Sequence, residues 1–303
     1  MNSDLSNDVW EQLERVTGES RADLCVNLSY SEFRNSNFEA AQILCGTALD
    51  IYFNLDGRVE FYKILDAYKG ISHSLKHLGK YQEAANISLD AAAYLKPFDS
   101  NEHRKAMDIA ADCFYYAGDY QKALNLYIEI FDNPMNIFDD GELATIYKDI
   151  AYCYMSLNQF AEATEYFLKA RQLFVINQEP RRVAFIDEEI SQCFEKVKNG
   201  MEAHKYAQFA LDFAILMNDR ERLAYSHSRM GFAKIITLQL DSALGHLKRS
   251  KQLILEDKDP NWGFVVQNER GIAQVLRLQG KAEESEATYK RIESIISATG
   301  DKE

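Results

Sequence analysis

The chain has 303 residues and carries 47 Asp and Glu against 34 Lys and Arg, which gives a formal net charge of −13. This charge repels duplex nucleic acid and anionic membranes on average, so we expect neither as a partner. Hydrophobic residues make up 47% of the chain, with only 4 prolines and 14 glycines. That composition favours a folded helical protein over a disordered or all-β one.

The N-terminal sequence MNSDLSNDVWEQ has neither the basic start nor the apolar stretch of a secretory signal. No run of about 18 apolar residues, the length needed to cross a bilayer, occurs along the chain. The five cysteines are an odd number and fit a reducing compartment. We therefore expect a cytoplasmic protein.

The first predicted element is a short amphipathic helix from Asn7 to about Val16. Trp10, Leu13 and Val16 lie three residues apart and share one face of this helix. We interpret residues 1–19 as an N-terminal cap on the first repeat of a stacked array.

A sequence repeat with a period near 40 residues follows the cap. Cys113, Cys153 and Cys193 stand 40 residues apart, and each is followed by an aromatic residue. A fixed period of this size is typical of stacked helical units, because one unit cannot bury its apolar face alone. A small residue marks the second helix of each repeat: Ala41, Ala84, Ala123, Ala163, Ala203, Ala243 and Ser285.

The register predicts seven repeats of helix, tight turn and helix within one superhelical domain, residues 20–303. Turns are expected at Gly79, Gly118, Asn158 and Gly280, since glycine and asparagine tolerate the positive φ that ends a helix. Pro180 and Pro260 are predicted in the first turn of the next helix. The predicted repeats cover about residues 20–60, 61–100, 101–140, 141–180, 181–220, 221–262 and 263–299.

The equally spaced cysteines are interpreted as small core residues. Equivalent positions of neighbouring helices lie about 8 to 10 Å apart, beyond the roughly 7 Å Cα limit for a disulfide. A shared metal site is the alternative, but thiols spread along a stack do not converge on one tetrahedron.

Segments such as GDYQKALNLYIEIF and NQFAEATEYFLKAR resemble the second half of tetratricopeptide (TPR) repeats. The resemblance extends over nearly the whole chain, and the period near 40 is similar to that of the long-repeat branch of the superfamily. It implies an all-α, right-handed α-solenoid of about seven TPR-like hairpins. It also implies a concave groove, lined by the first helices, that binds protein or peptide.

Residues one turn on either side of the core stripe of each first helix are the candidate lining of that groove. Aromatic residues, Met and Arg are enriched at binding surfaces, which favours a recognition role over an ordinary solvated face. Packing between neighbouring first helices is the structural alternative for any one of them. The candidates are Lys69, His73, Asp112, Tyr115, Lys148, Tyr152, Gln192, Arg229, Phe232, Arg270 and Gln274.

Motifs of catalysis are not found in the sequence. Gly79-Lys80 lacks the other residues of a phosphate-binding loop, and neither a GxSxG elbow nor a kinase signature occurs. His73 and His77, one helical turn apart, are the best metal candidate, but the Glu of a zinc-protease helix is missing after His73. We expect no catalytic residues, no metal and no cofactor.

The sequence therefore predicts a non-catalytic scaffold or adaptor that binds a protein or peptide. The alternative is a peptide-responsive regulatory sensor, because the long repeats resemble those of bacterial peptide-pheromone receptors, or the sensor part of a longer signalling protein. A homodimer through the C-terminal end is a further hypothesis, since Tyr289, Ile292 and Ile295 have little sequence after them to cover them.

Overall fold

The computed structural model describes Leu5 and residues 7–55 and 59–299, and the described chain is helical throughout its regular elements. It divides into two compact units, and the boundary in the chain lies between Ile137 and Phe138. The first unit contains α1 Asn7–Glu14, α2 Gly18–Arg34, α3 Phe38–Phe53, α4 Phe61–His77, α5 Tyr81–Leu95, α6 Ser100–Tyr116 and α7 Tyr120–Asp132. The second contains α8 Asp140–Ser156, α9 Phe160–Ile176, α10 Pro180–Lys196, α11 Gly200–Leu216, α12 Arg220–Ile236, α13 Leu240–Leu255, α14 Trp262–Leu278 and α15 Ala282–Thr299.

After α1, the described helices pack as consecutive hairpins, from α2 with α3 to α14 with α15. This arrangement confirms the predicted all-α solenoid of helix hairpins. Some first helices of neighbouring hairpins also contact one another, namely α2 with α4, α10 with α12 and α12 with α14. Within each unit a hairpin thus shares its apolar faces with the next hairpin, which is the reason such units stack.

The predicted turns are confirmed by backbone conformation. Gly79, Gly118, Asn158 and Gly280 all have positive φ, between 61° and 82°. In each turn the following residue donates its backbone N–H to a carbonyl in the last turn of the first helix, as Asp119 does to Phe114 at 2.9 Å. The left-handed residue therefore satisfies carbonyls that the helix end would leave unpaired.

Helix starts show one prediction that is confirmed and one that is wrong. Pro180 is the first residue of α10, where its missing N–H costs no hydrogen bond. Pro260 lies outside α14, because Asn261 is the N-cap and its side chain accepts from the Phe264 backbone N–H at 3.0 Å. The predicted N-terminal helix also ends earlier than expected, at Glu14 instead of about Val16.

Small residues occupy the tightest places in the core. The six predicted alanines, of which Ala163 is one, are at most 1% exposed, and Ser285 is also buried. The Ser285 hydroxyl donates to the Ala273 carbonyl at 2.9 Å, which allows a polar residue at this contact. The small residues permit close approach of the two helices of each hairpin.

All five cysteines are free and buried, which confirms that Cys113, Cys153 and Cys193 are core residues. Burial raises the pKa of the Cys113 thiol to about 11 and that of Cys193 to about 12. Protonated thiols of this kind behave as small apolar side chains.

The C-terminal helix turns part of its apolar face inward. Ile292 is buried, and Ile295 packs against a cluster that includes Leu253 and Phe264. Tyr289 remains 38% exposed, and the homodimer through this end stays a prediction. Across the described residues, no helix combines the length and the apolar character needed to cross a bilayer.

Candidate functional site: the first-helix face of the second compact unit

The first helices of the second unit, α8, α10, α12 and α14, have the same length of 17 residues. They begin at Asp140, Pro180, Arg220 and Trp262, and α12 contacts both α10 and α14. We call the surface formed by their candidate lining residues the first-helix face. Counted from these starts, the residue twelve positions on is Tyr152, Gln192, Phe232 and Gln274, respectively. Aromatic and amide side chains therefore alternate at one equivalent position of four successive helices.

The aromatic ring of Tyr152 is fixed by its neighbours. It lies edge-on to Phe167, with ring centroids 5.3 Å apart, and tilted against Phe185 of α10 at 6.4 Å. Its hydroxyl hydrogen-bonds the Glu189 carboxylate, which lowers a pKa that burial of Glu189 otherwise raises. Tyr152 is half-buried, so part of the ring is accessible at the surface.

The ring of Phe232 lies between α12 and α14. It packs on an apolar cluster that includes Leu247, Ile272 and Val275. Gly271 allows this position, because a Cβ there would lie only 3.1 Å from the Phe232 ring. Like Tyr152, Phe232 is half-buried and keeps part of its ring accessible.

The two amides differ in exposure, since Gln192 is half-buried and Gln274 is exposed. A glutamine amide offers one oxygen that accepts and one nitrogen that donates two hydrogen bonds. This is the chemistry that pairs with both the N–H and the C=O of a peptide backbone.

Two ion pairs join α10 to α12 beside these residues. The Arg222 Nη1 donates to Glu188 Oε2 at 2.6 Å, and the Ser226 hydroxyl donates to Glu188 Oε1 at 2.8 Å. About two turns further along both helices, the Arg229 Nη1 donates to Glu195 Oε2 at 3.2 Å. The pairs fix the relative positions of the two helices that carry Gln192 and Phe232.

Carboxylates outnumber guanidinium groups in this cluster. Burial raises the pKa of Glu188 and of Glu195 to about 7, against the opposing effects of Arg222 and Arg229. The buried Glu195 Oε1 has no hydrogen-bond partner among the described residues. With Glu189 included, three acidic side chains lie beside two guanidinium groups at the contact of α10 and α12.

The remaining candidates of the second unit are placed differently. Arg229 is 6% exposed and forms an ion pair with Glu195, so it lies below the surface and holds α12 to α10. Lys148 pairs with its neighbour Asp149 at 2.9 Å. Arg270 is exposed on α14, four residues before Gln274.

The candidates of the first unit lie on α4 and α6 and are engaged there. Lys69 pairs with Glu102 of α6 at 3.1 Å. Asp112 accepts a 2.5 Å hydrogen bond from the Tyr127 hydroxyl. The ring of Tyr115 lies 5.3 Å from that of Tyr120. His73 is exposed on α4.

The suggested histidine pair of α4 has separate surroundings. His77 stacks on Phe38, with ring centroids 4.5 Å apart, instead of turning toward His73. Among the residues that the structure describes, no group of three or more His, Cys, Asp or Glu side chains is arranged to hold a metal ion.

Arg222 and Ser226 are residues of the α10–α12 contact that the sequence analysis did not select. They lie in the first half of α12, and on this helix the selection took residues beside the core residue Met230 instead. The spacing of Arg222, Ser226 and Arg229, four and then three residues, places them on one helical stripe and could have indicated them.

No protein-family model matches the sequence, and no curated protein does so either. Solved structures do match the fold. The apo form of the quorum sensor NprR from B. thuringiensis is 14% identical, with a TM-score of 0.68 over 96% of this chain and 80% of that chain. A Rap protein complexed with competence and sporulation factor is 14% identical, with a TM-score of 0.64 over 93% of this chain and 78% of that chain.

The STAND signal-transduction ATPase with a tetratricopeptide repeat sensor from Pyrococcus horikoshii also matches. It is 14% identical, with a TM-score of 0.68 over 94% of this chain and 43% of that chain. The chain is thus a helical-repeat protein with the TPR-like fold. Identities this low show the fold alone.

Proposed function

We propose that the chain is a non-catalytic binding module that holds a peptide, or an extended segment of a protein, on the first-helix face of its second unit. The observation that carries this proposal is the alternation of Tyr152, Gln192, Phe232 and Gln274 at one equivalent position of four helices. The amides would pair with ligand backbone, and the rings would contact ligand side chains.

The order of the helices suits an extended ligand. An extended chain that crosses successive first helices would meet Tyr152, then Gln192, Phe232 and Gln274 in order. The ion pairs of Arg222 and Arg229 hold α10 and α12 in place before the ligand arrives, which reduces the entropy lost on binding.

A regulatory, peptide-responsive role is the finer form of this proposal. Two of the similar structures are a quorum sensor and a Rap protein complexed with competence and sporulation factor. A third carries a tetratricopeptide repeat sensor within a signal-transduction ATPase. These similarities support a sensor that responds to a peptide.

The proposal is tested by affinity capture from the native host with wild-type protein and with a triple variant, Gln192→Ala, Phe232→Ala and Gln274→Ala. We expect a set of partners that the wild type captures and the triple variant loses. Capture of the same partners by both proteins contradicts the proposal.

A matched control carries substitutions of the same kind on second helices. Gln208→Ala and Gln252→Ala remove amides whose hydrogen bonds are to residues one turn away in the chain, Gln208 to Asp212 and Gln252 to Glu256 and Arg249. The control is expected to capture the wild-type set, and circular dichroism establishes that each variant is folded.

A further inference from the structure

A second candidate site lies among α9, α10 and α11, on residues that the first-helix face does not use. It is a cavity of about 320 Å³, open to solvent. We call it the α9–α11 notch. Its lining residues are Arg171, Phe174, Val175, Gln178, Glu179, Pro180, Val183, Ala184, Asp187, Phe209, Asp212 and Phe213.

The notch arises from the way three helices pack. Helices α9 and α11 each contact α10, which forms the floor between them. At the floor, Ala184 is 1% exposed and too small to fill the space above it. The walls are three phenylalanine rings with two valines and a proline, a lining typical of sites for apolar groups.

The polar groups at the base of the notch satisfy one another. Arg171 Nε donates to Asp187 Oδ1 at 2.6 Å, and its Nη2 donates to Asp187 Oδ2 at 3.2 Å. The Arg171 guanidinium also lies 5.7 Å from the centre of the Phe209 ring. The charges of the buried Asp187 carboxylate and the Arg171 guanidinium balance each other, so the base of the notch does not favour a charged ligand.

The apolar walls continue onto the protein surface. Val175 is 51% exposed and Phe209 is 45% exposed. A second cavity of about 910 Å³ shares Pro180 and Phe213 with the notch and reaches Met217, which is 58% exposed. These exposed side chains extend the apolar wall of the notch to the surface, where the larger cavity is also lined by arginines, among them Arg181 and Arg220.

The charge at the rim is negative. Asp212 is exposed, and the Gln208 amide, a neutral group, donates to it at 2.6 Å. Glu179, also at the rim, pairs with Arg182 at 3.0 Å. Asp212 thus leaves the rim with a net negative charge, and the chain as a whole carries −13. An occupant with a cationic group beside its apolar side chain matches both features.

We propose that the α9–α11 notch binds a segment of another protein, which inserts a Leu or Phe side chain between Phe209 and Phe213, above the buried Phe174, and places a Lys or Arg beside Asp212. The inserted side chain gains contact with two aromatic rings, and the cation gains an exposed carboxylate. The notch uses none of the lining candidates of the first-helix face. Helix α10 contributes Val183, Ala184 and Asp187 to the notch but Gln192 to the first-helix face.

The test uses two fluorescein-labelled peptides with blocked ends, GKLFLKG and its acidic counterpart GELFLEG, and measures binding by fluorescence anisotropy at low ionic strength. We expect the basic peptide to bind at least about tenfold more tightly than the acidic one, the ratio that one favourable charge contact supplies. Phe209→Ser removes a wall, and Val175→Trp fills the notch from an exposed position. Each is expected to weaken the basic peptide about tenfold or more.

Asp212→Lys is expected to weaken the basic peptide and to strengthen the acidic one. Met201→Ser is the matched control for Phe209→Ser, since Met201 is 81% exposed on the same helix at its other end. It should leave binding unchanged. The first-helix triple variant of Gln192, Phe232 and Gln274 should also bind the basic peptide normally, which separates this test from that of the proposed function.

Three results would overturn the proposal. Unchanged affinity in folded Phe209→Ser and Val175→Trp variants shows that the peptide does not enter the notch. Loss of affinity in the first-helix triple variant alone places the peptide on the other face. Self-association of the wild type that Val175→Trp abolishes, measured by sedimentation, makes a second copy of the chain the occupant.

Discussion

Arg222 on α12 and Glu188 on α10 form a buried ion pair, with Nη1 and Oε2 2.6 Å apart. Their side chains are 11% and 5% exposed. The Arg222 guanidinium also lies 4.9 Å from the centre of the Tyr225 ring, and Ser226 completes the bonding of the carboxylate. A pair that is buried and so fully engaged is costly to break from one side, because the remaining charge loses its partner.

Arg222→Met is expected to lower the free energy of unfolding by about 3 to 5 kcal/mol at pH 8, where Glu188 is ionised. The double variant Glu188→Leu with Arg222→Met should recover most of this loss, since apolar residues can replace a buried pair. Urea denaturation followed by circular dichroism measures both values.

The control for this pair is Lys205→Met. Lys205 and Glu202 form an exposed pair on α11 at 3.0 Å, and its loss should leave the free energy of unfolding nearly unchanged, because water screens the pair. Equal stability of the Arg222→Met and Lys205→Met variants would show that the buried pair does not hold α10 and α12 together.

Alanine substitutions at two glycines of the α12–α13 hairpin should change the stability of the protein in opposite directions. A Cβ at Gly231 would lie 2.6 Å from Cγ of the fully buried Leu247, whereas a Cβ at Gly245 meets no atom within 4 Å. Gly231→Ala should therefore destabilise the protein by about 1 to 3 kcal/mol through overpacking. Gly245→Ala should stabilise it by up to about 1 kcal/mol through helix propensity. Thermal melts of the two variants give the comparison, and a shift in the same direction for both contradicts the packing.

A pair of histidines should lower the stability of the folded protein in mild acid. His227 and His246 face each other across α12 and α13, with their Nδ1 atoms 2.9 Å apart. Burial lowers the pKa of both, that of His246 to about 4, and His227, Lys234 and His204 lower the pKa of His246 further. Arg249 acts in the same direction on His227.

The direction in which stability changes with pH depends on whether the folded or the unfolded state binds more protons. Unfolded histidines protonate near the ordinary pKa of 6.5, whereas the folded pair stays neutral to lower pH, so the unfolded state binds more protons in between. The stabilisation is fully present above about pH 6.5 and is lost as the pH falls toward about 4. The measurement is the free energy of unfolding of wild type and His246→Gln at pH 7.5 and pH 5.

The difference between the two proteins is the readout, because Glu188 and Glu195 act with the opposite sign. Their pKa is raised to about 7 in the folded state, so their protonation below pH 7 favours folding. Between pH 7.5 and pH 5, the change in the free energy of unfolding should be less favourable for the wild type than for His246→Gln. An equal change in the two proteins would exclude the histidine pair as a source of acid sensitivity.

The cysteines should be unreactive in the folded protein. Cys25, Cys45 and Cys113 are buried, and burial raises the pKa of each thiol to about 11. Since the thiolate is the reactive form, a thiol reagent such as DTNB at pH 8 should label none of the five until urea unfolds the chain. Rapid labelling of one thiol under native conditions would show that its helix opens locally.

The repeat register could be read from the sequence because it depends on local requirements. Ala163 and its equivalents are small where helices approach, and Gly118 and Asn158 sit where the backbone needs positive φ. Each requirement restricts a residue type at one position of every repeat. The prediction for Pro260 was wrong because a proline costs no helix hydrogen bond either before the N-cap or at the first helical position, so the sequence does not distinguish the two positions.

The candidate site could be read only in part. The sequence placed Tyr152, Gln192, Phe232 and Gln274 among the inner positions of first helices, and the helix bounds put them at one equivalent position. It did not show that Arg229 is engaged with Glu195 and largely buried. The partners are 34 residues apart, and their contact depends on the distance between two helices.

The sequence by itself determined that the chain is all-helical, where its hairpins turn, and which small residues lie in the helix contacts. These properties follow from the period, the turn residues and the apolar stripe, which act over a few residues. The tertiary structure alone decided which charges are paired and buried, as Glu188 is with Arg222, and that α9 and α11 leave a notch above Ala184. Both depend on how far apart packed helices lie and where side chains point, and neither quantity is set by local sequence.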